Sequence, residues 1–120
     1  MKIIQNLMKV TALVAVATAS FVMPSIAEDK LKIGFIYPSP AGDVGWSREL
    51  DNGRKQIEEK FGDKVETVVV ENVPEGPDAA RVMTQMASQG AGMLMIGSFG
   101  YMNDGLKLAA QQPDLKFIHA

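Results

Sequence analysis

Two hydrophobic periods alternate along the chain. The stretch "KIGFIY", Lys32 to Tyr37, is short and apolar on both faces, which predicts a strand covered on both sides. After the loop "PSPAGDVG", Trp46, Leu50, Gly53, Ile57 and Phe61 recur at helical spacing. Arg48, Glu49, Asp51, Arg54, Lys55 and Glu58 fill the opposite face, so an amphipathic helix of about four turns is predicted. Gly62 is placed to stop it. "KVETVVVENV" is rich in β-branched residues and predicts a second strand. In "PEGPDAARVMTQMASQG", Pro77 suits a first helical turn and Ala79, Val82, Met83, Met86 and Ala87 form an apolar stripe ended by Gly90. "GMLMIGS" predicts a third buried strand and "NDGLKLAAQQP" a third helix, with Asn103 or Asp104 as its cap. "LKFIHA" predicts a fourth strand.

The order is β-α-β-α-β-α-β with short connections. It predicts an α/β fold, a parallel sheet with helices on both faces. Ligands of such sheets sit beyond the carboxyl ends of the strands, where the strand order reverses. In a flavodoxin-like order the first and third strands are neighbours, and the loops that leave them face each other.

Those two loops share a spelling. The first contains Gly42-Asp43-Val44-Gly45-Trp46, the second Gly97-Ser98-Phe99-Gly100-Tyr101. Both are G-x-x-G followed by an aromatic residue, and both lead into a helix. Glycines allow close approach of a ligand to the backbone, a ring at a cleft mouth can stack on a flat ligand, and the Asp43 carboxylate accepts hydrogen bonds. Each residue has a plainer role open to it. Trp46 heads the stripe of its own helix and could be core. Asp43 could be a helix cap, and Phe99 and Tyr101 could cover the sheet edge. The spelling is neither the dinucleotide fingerprint nor a phosphate-binding P-loop.

Composition narrows the chemistry. A net charge of −2 gives no electrostatic reason to expect nucleic acid as partner. The absence of cysteine removes disulfides, thiolate metal sites and a lipid-anchored cysteine. There is no G-x-S-x-G elbow and no spacing suited to a metal, so no cofactor, no metal and no catalytic residue is expected. His119 is the only histidine and falls at the end of the fourth strand, either facing the crevice or bonded to backbone. At the start, "MKIIQNLMK" carries two lysines, "VTALVAVATASFVM" is apolar but shorter than the roughly 20 residues of a spanning helix, and "PSIA" offers small residues. Residues 1–27 therefore predict a signal peptide cut after Ala27, with residues 28–120 exported to the periplasm without a lipid anchor. "LKFIHA" reads as the middle of a domain, so the chain is expected to be an N-terminal piece of a longer one.

With the leader, "KIGFIYPSPAGDVGWSRELDNGRKQIEEKFG" and "MLMIGSFGYMNDGLKLAAQQPDLKFIHA" resemble the N-terminal lobe of the basic membrane protein family, the purine-nucleoside-receptor-like substrate-binding proteins of ABC transporters. The resemblance covers the whole chain after the leader. It implies a two-lobed periplasmic-binding-protein type I fold, with a small-molecule ligand held between the lobes and delivered to a membrane permease. It implies Asp43 as a ligand-bonding acid, Trp46 as the stacking ring and Ser47 as the polar neighbour. Gly97, Ser98, Phe99 and Gly100 would line the pocket, with His119 near it. The family pattern has phenylalanine and asparagine where this chain has Trp46 and Ser47. The implied ligand is thus a purine nucleoside, a nucleobase or a similar flat heterocycle. Two other classes remain open to the same fold: a ligand-sensing module acting through a membrane receptor, and a secreted α/β enzyme using Asp43 or His119.

Overall fold

A computed structural model describes residues 29–120 of the chain. The predicted leader, residues 1–27 with its cleavage site at Ala27, lies outside them. The chain forms β1 (Leu31–Ile36), α1 (Trp46–Phe61), β2 (Val65–Val70), α2 (Pro77–Ser88), β3 (Met93–Ile96), α3 (Met102–Gln111) and β4 (Lys116–His119). Single 3-10 turns, Gly62–Lys64 and Phe99–Tyr101, precede β2 and α3. The strands make one parallel sheet in the order β2-β1-β3-β4. Ile36 of β1 sits opposite Val70 of β2 and Ile96 of β3, so all three strands end at one level.

The alternating geometry of β1 sorts the core into two layers. Ile33, Phe35 and Tyr37 point to one face, where Leu50 and Ile57 of α1 pack on them. Ile36 points to the other, with Leu94 and Ile96, beneath Val82, Met83 and Met86 of α2 and Leu108 of α3. Helices therefore cover both faces, as the short apolar strands require. Phe35 and Tyr37 meet edge to face, with centroids 6.3 Å apart.

Helix boundaries follow local chemistry in two cases and depart from it in a third. Gly62 closes α1 through its N–H to Glu58 O, and Pro77 opens α2. The cap expected at Asn103 or Asp104 is absent. α3 begins at Met102, and Tyr101, at the junction with the 3-10 turn, stands in the cap position without a side-chain bond. Tyr101 is fully buried instead, and its hydroxyl donates to Val73 O at 2.6 Å, so the turn is held from the β2–α2 connection.

The face of α1 also differs from the stripe read in the sequence. Ser47 and Asp51 are the buried residues of this helix, while Trp46 and Phe61 are exposed. The helix lies across the β1–β2 side of the sheet, where polar atoms receive its inner polar residues. Arg54 bonds Asp51 at 2.7 Å, Glu58 at 2.8 Å and Thr67 of β2 at 3.1 Å, and Thr67 also bonds Glu58. Lys55 reaches the second Asp51 oxygen at 2.8 Å.

Candidate functional site

Both glycine loops leave the carboxyl ends of adjacent strands, β1 and β3, and the helices they feed lie on opposite faces of the sheet. This is the switch point of the strand order, the place where such sheets bind ligands. One bond spans the gap: the Trp46 indole N–H donates to Gly97 O at 2.8 Å. Its only polar atom is thereby engaged. The ring is nevertheless 57% exposed. The core role open to Trp46 is not the one it takes.

The other sequence-predicted residues fall into three groups. Asp43 is exposed and is not the cap of α1: that position is Gly45, with no side-chain bond. Phe99, in the second loop, is 80% exposed. Ser47, by contrast, is 1% exposed, and its hydroxyl shares a 2.8 Å bond with Ser39. It braces the first loop from below. Gly97 is seated on packed atoms: a Cβ there would overlap Leu50 Cδ1 and lie 3.1 Å from Ile36 O. Gly97 N also donates to Ile36 O at 3.0 Å, which locks the loop to the end of β1. His119 is exposed, and its Nε2–H donates to Ser98 O at 2.9 Å. That is the backbone-bonded state, and it ties β4 to the second loop.

Two acids that the spacing did not single out hold both loops. Glu71 Oε1 accepts from Ala41 N at 3.1 Å in the first loop. Glu75 Oε1 accepts from Ser98 Oγ at 2.5 Å and from Gly100 N at 3.1 Å in the second. Both sit in the β2–α2 connection, at the same end of the sheet as the glycine loops. An acid between two prolines in "PEGP", at the carboxyl end of a predicted strand, was the available signal.

Below the first loop lies a buried polar group. The Tyr37 hydroxyl is fully buried and has no hydrogen-bond partner. Burial, then the neighbouring Asp51 carboxylate, push its pKa up to about 12. Asp51 itself is held below the ordinary carboxylate range, first by its bond from Arg54 and then by Lys55. Beside them an open groove of about 510 Å³ is lined by Ala41, Asp51, Arg54, Lys55, Val69 and Glu71. Tyr101, also buried, is pushed up to about 12 by burial and then by Glu75. Both tyrosines stay protonated across the neutral range, and Tyr101 acts as a fixed donor to Val73 O. Among the described residues no group of histidine and acid side chains could hold a metal ion.

A parallel sheet with two loops converging at a switch point is the arrangement at which open α/β sheets bind small ligands. The same backbone is found in an ABC transporter solute-binding protein from Conexibacter woesei, with a TM-score of 0.65 at 16% identity over 72% of this chain and 28% of that one. Residues 30–120 match the family model of the PnrA-like ABC transporter substrate-binding proteins, and the chain belongs to that family. Over 94 residues it is 50% identical to a purine-binding protein of Brucella abortus, covering 78% of this chain and 27% of the relative. It is 32% identical over 92 residues to a Haloferax volcanii protein named as an ABC transporter glucose-binding protein, covering 77% of this chain and 23% of the relative. The chain thus spans about a quarter of the length of the curated relatives it matches.

Proposed function

We propose that residues 28–120 form the N-terminal lobe of a periplasmic binding protein, exported by a signal peptide of residues 1–27 and serving an ABC importer. The ligand is a purine nucleoside, a nucleobase or a similar flat heterocycle, captured between this lobe and a second one. Closure of the lobes would present the loaded protein to the membrane permease. The reading has no catalytic step.

The observation that carries it is the state of Trp46. A ring more than half exposed at the switch point, with its N–H already bonded to Gly97 O, offers its faces and no further polar atom. Faces without a donor suit stacking on a planar ring, a contact contributing roughly 0.5–1.5 kcal/mol beyond area burial. Asp43, exposed at the head of the same loop, supplies an acceptor for ring or ribose donors. The name of the Brucella relative favours a purine, and that of the Haloferax relative makes a sugar the competitor, since a sugar can also lie on an indole face.

Calorimetric titration of the full-length protein with adenine, adenosine, guanosine and glucose tests the reading. Saturable binding of a purine, weakened in Trp46→Ala, is expected. Binding of glucose alone would replace the ligand class. Purine affinity unchanged in Trp46→Ala would remove the stacking role.

A further inference from the structure

Three bonds hold the second loop from the β2–α2 connection. Glu75 Oε1 takes two bonds from it, one from a side chain, Ser98 Oγ, and one from backbone, Gly100 N. A Cβ at Gly100 would meet the Glu75 carboxylate where it now lies, so a side chain there would push that acid aside. The next residue, Tyr101, donates to Val73 O, two positions before Glu75. Residues 98, 100 and 101 are therefore fastened to residues 73 and 75. Other polar contacts of the loop run the other way: Gly97 N donates to Ile36 O, Ser98 O receives His119, and Gly97 O receives the indole N–H of Trp46.

That order of contacts has a mechanical meaning. An exposed ring on a helix terminus turns about two side-chain torsions unless a bond fixes it. The bond from Trp46 fixes the ring only as firmly as the Gly97 carbonyl is itself fixed. Charge-assisted hydrogen bonds are the strongest available for this, being shorter and about twice as strong as neutral ones. In this chain they come from Glu75.

We propose that Glu75 is a positioning residue of the binding site, holding the Gly97–Gly100 loop so that the Gly97 carbonyl presents the Trp46 ring in one orientation. The proposal rests on the reading of Trp46 as the stacking ring. A glycine at position 100 leaves the carboxylate free to lie against its backbone N–H, and its service to the ligand is then indirect.

The test uses full-length protein in which Trp46 is the only tryptophan retained. The variants are Glu75→Ala, Glu75→Gln and, as a core-destabilised control remote from the loop, Met83→Ala. Three quantities are read: acrylamide quenching of Trp46 without ligand, the Kd for adenine and adenosine, and Tm. Glu75→Ala is expected to raise quenching and to weaken purine binding about tenfold, equivalent to losing about 1.4 kcal/mol. Glu75→Gln keeps an oxygen that accepts both bonds, and it should recover binding to within about threefold of the parent. Met83→Ala should lower Tm with quenching and Kd unchanged. If Glu75→Ala behaves like Met83→Ala, or if Glu75→Gln fails as badly as Glu75→Ala, the positioning role is wrong. If the parent binds neither purine, the ligand class fails, and the quenching comparison without ligand still decides the role of Glu75.

Discussion

Trp46 and Gly97 form a joint between two loops, and each half can be altered separately. Trp46→Phe keeps an aromatic face and removes the N–H that reaches Gly97 O. Its expected purine Kd lies between those of the parent and Trp46→Ala, with Trp46→Ala weakened by about tenfold or more, as loss of a stacked ring implies. Gly97→Ala acts on the other half. The added methyl overlaps Leu50 and crowds Ile36 O, so α1 must shift away from the end of β1. Overpacking of this kind costs about 1–3 kcal/mol, visible as a lower urea midpoint. A midpoint equal to the parent's would mean that Leu50 simply rotates out of the way. At this scale the sequence shows a spelling and conceals the contacts behind it. The glycines and Trp46 stood out by their repeated spelling, yet the partner of Gly97 is Leu50 and that of Gly100 is Glu75, each far along the chain. The resemblance implies Ser47 as the polar residue beside Trp46, and the helical turn between neighbours directs its hydroxyl to Ser39.

α1 shows the same limit at the scale of an element. Its existence, start at Trp46 and stop at Gly62 follow from periodicity and a glycine, all legible. Its buried face follows only in part: Leu50 and Ile57 pack inward with the stripe, but periodicity cannot know that Thr67 offers Arg54 a polar partner beneath the helix. Asp51 is buried there with Arg54 at 2.7 Å and Lys55 at 2.8 Å, and its carboxyl is held below the ordinary range. The sign of the consequence is fixed by that direction. The unfolded chain titrates near about 3.9. Above that value Asp51 is ionised in both states, and the stabilisation is fully present. As pH falls, the unfolded chain takes up the proton first, and the stabilisation is lost through the folded value. Asp51→Asn is therefore expected to be less stable than the parent at pH 7, by about 1–3 kcal/mol. Its urea midpoint should also change less than the parent's between about pH 4.5 and pH 2.5. Parallel slopes for the two proteins would show that Asp51 contributes nothing to the acid limb.

For the whole molecule, alternation with short connections leaves few parallel arrangements, and the flavodoxin-like one, with β1 beside β3, is the one found. What covers the far side of the sheet was not legible, because it depends on residues that do not contact this stretch locally. Among the described residues β4 is an edge strand with apolar groups open on both sides. Ile118 is 49% exposed on the face of α1, which packs over β1 and β2. On the opposite face Leu106 is 63% exposed beside a trough of about 280 Å³ lined by Ile96, Met102, Gly105, Ala109 and Phe117. An edge strand flanked by open apolar surface is a template for pairing with another chain. Residues 28–120 expressed alone are therefore expected to self-associate as concentration rises, seen by light scattering after gel filtration, and to bind a hydrophobic dye. The double variant Leu106→Glu, Ile118→Lys places one charge on each face of that edge and should shift the same piece toward monomer without lowering its Tm. Full-length protein, if its further residues pack against β4, should be monomeric and indifferent to the dye. A monodisperse, cooperatively melting piece with its native Leu106 and Ile118 would show that the β4 edge needs no cover.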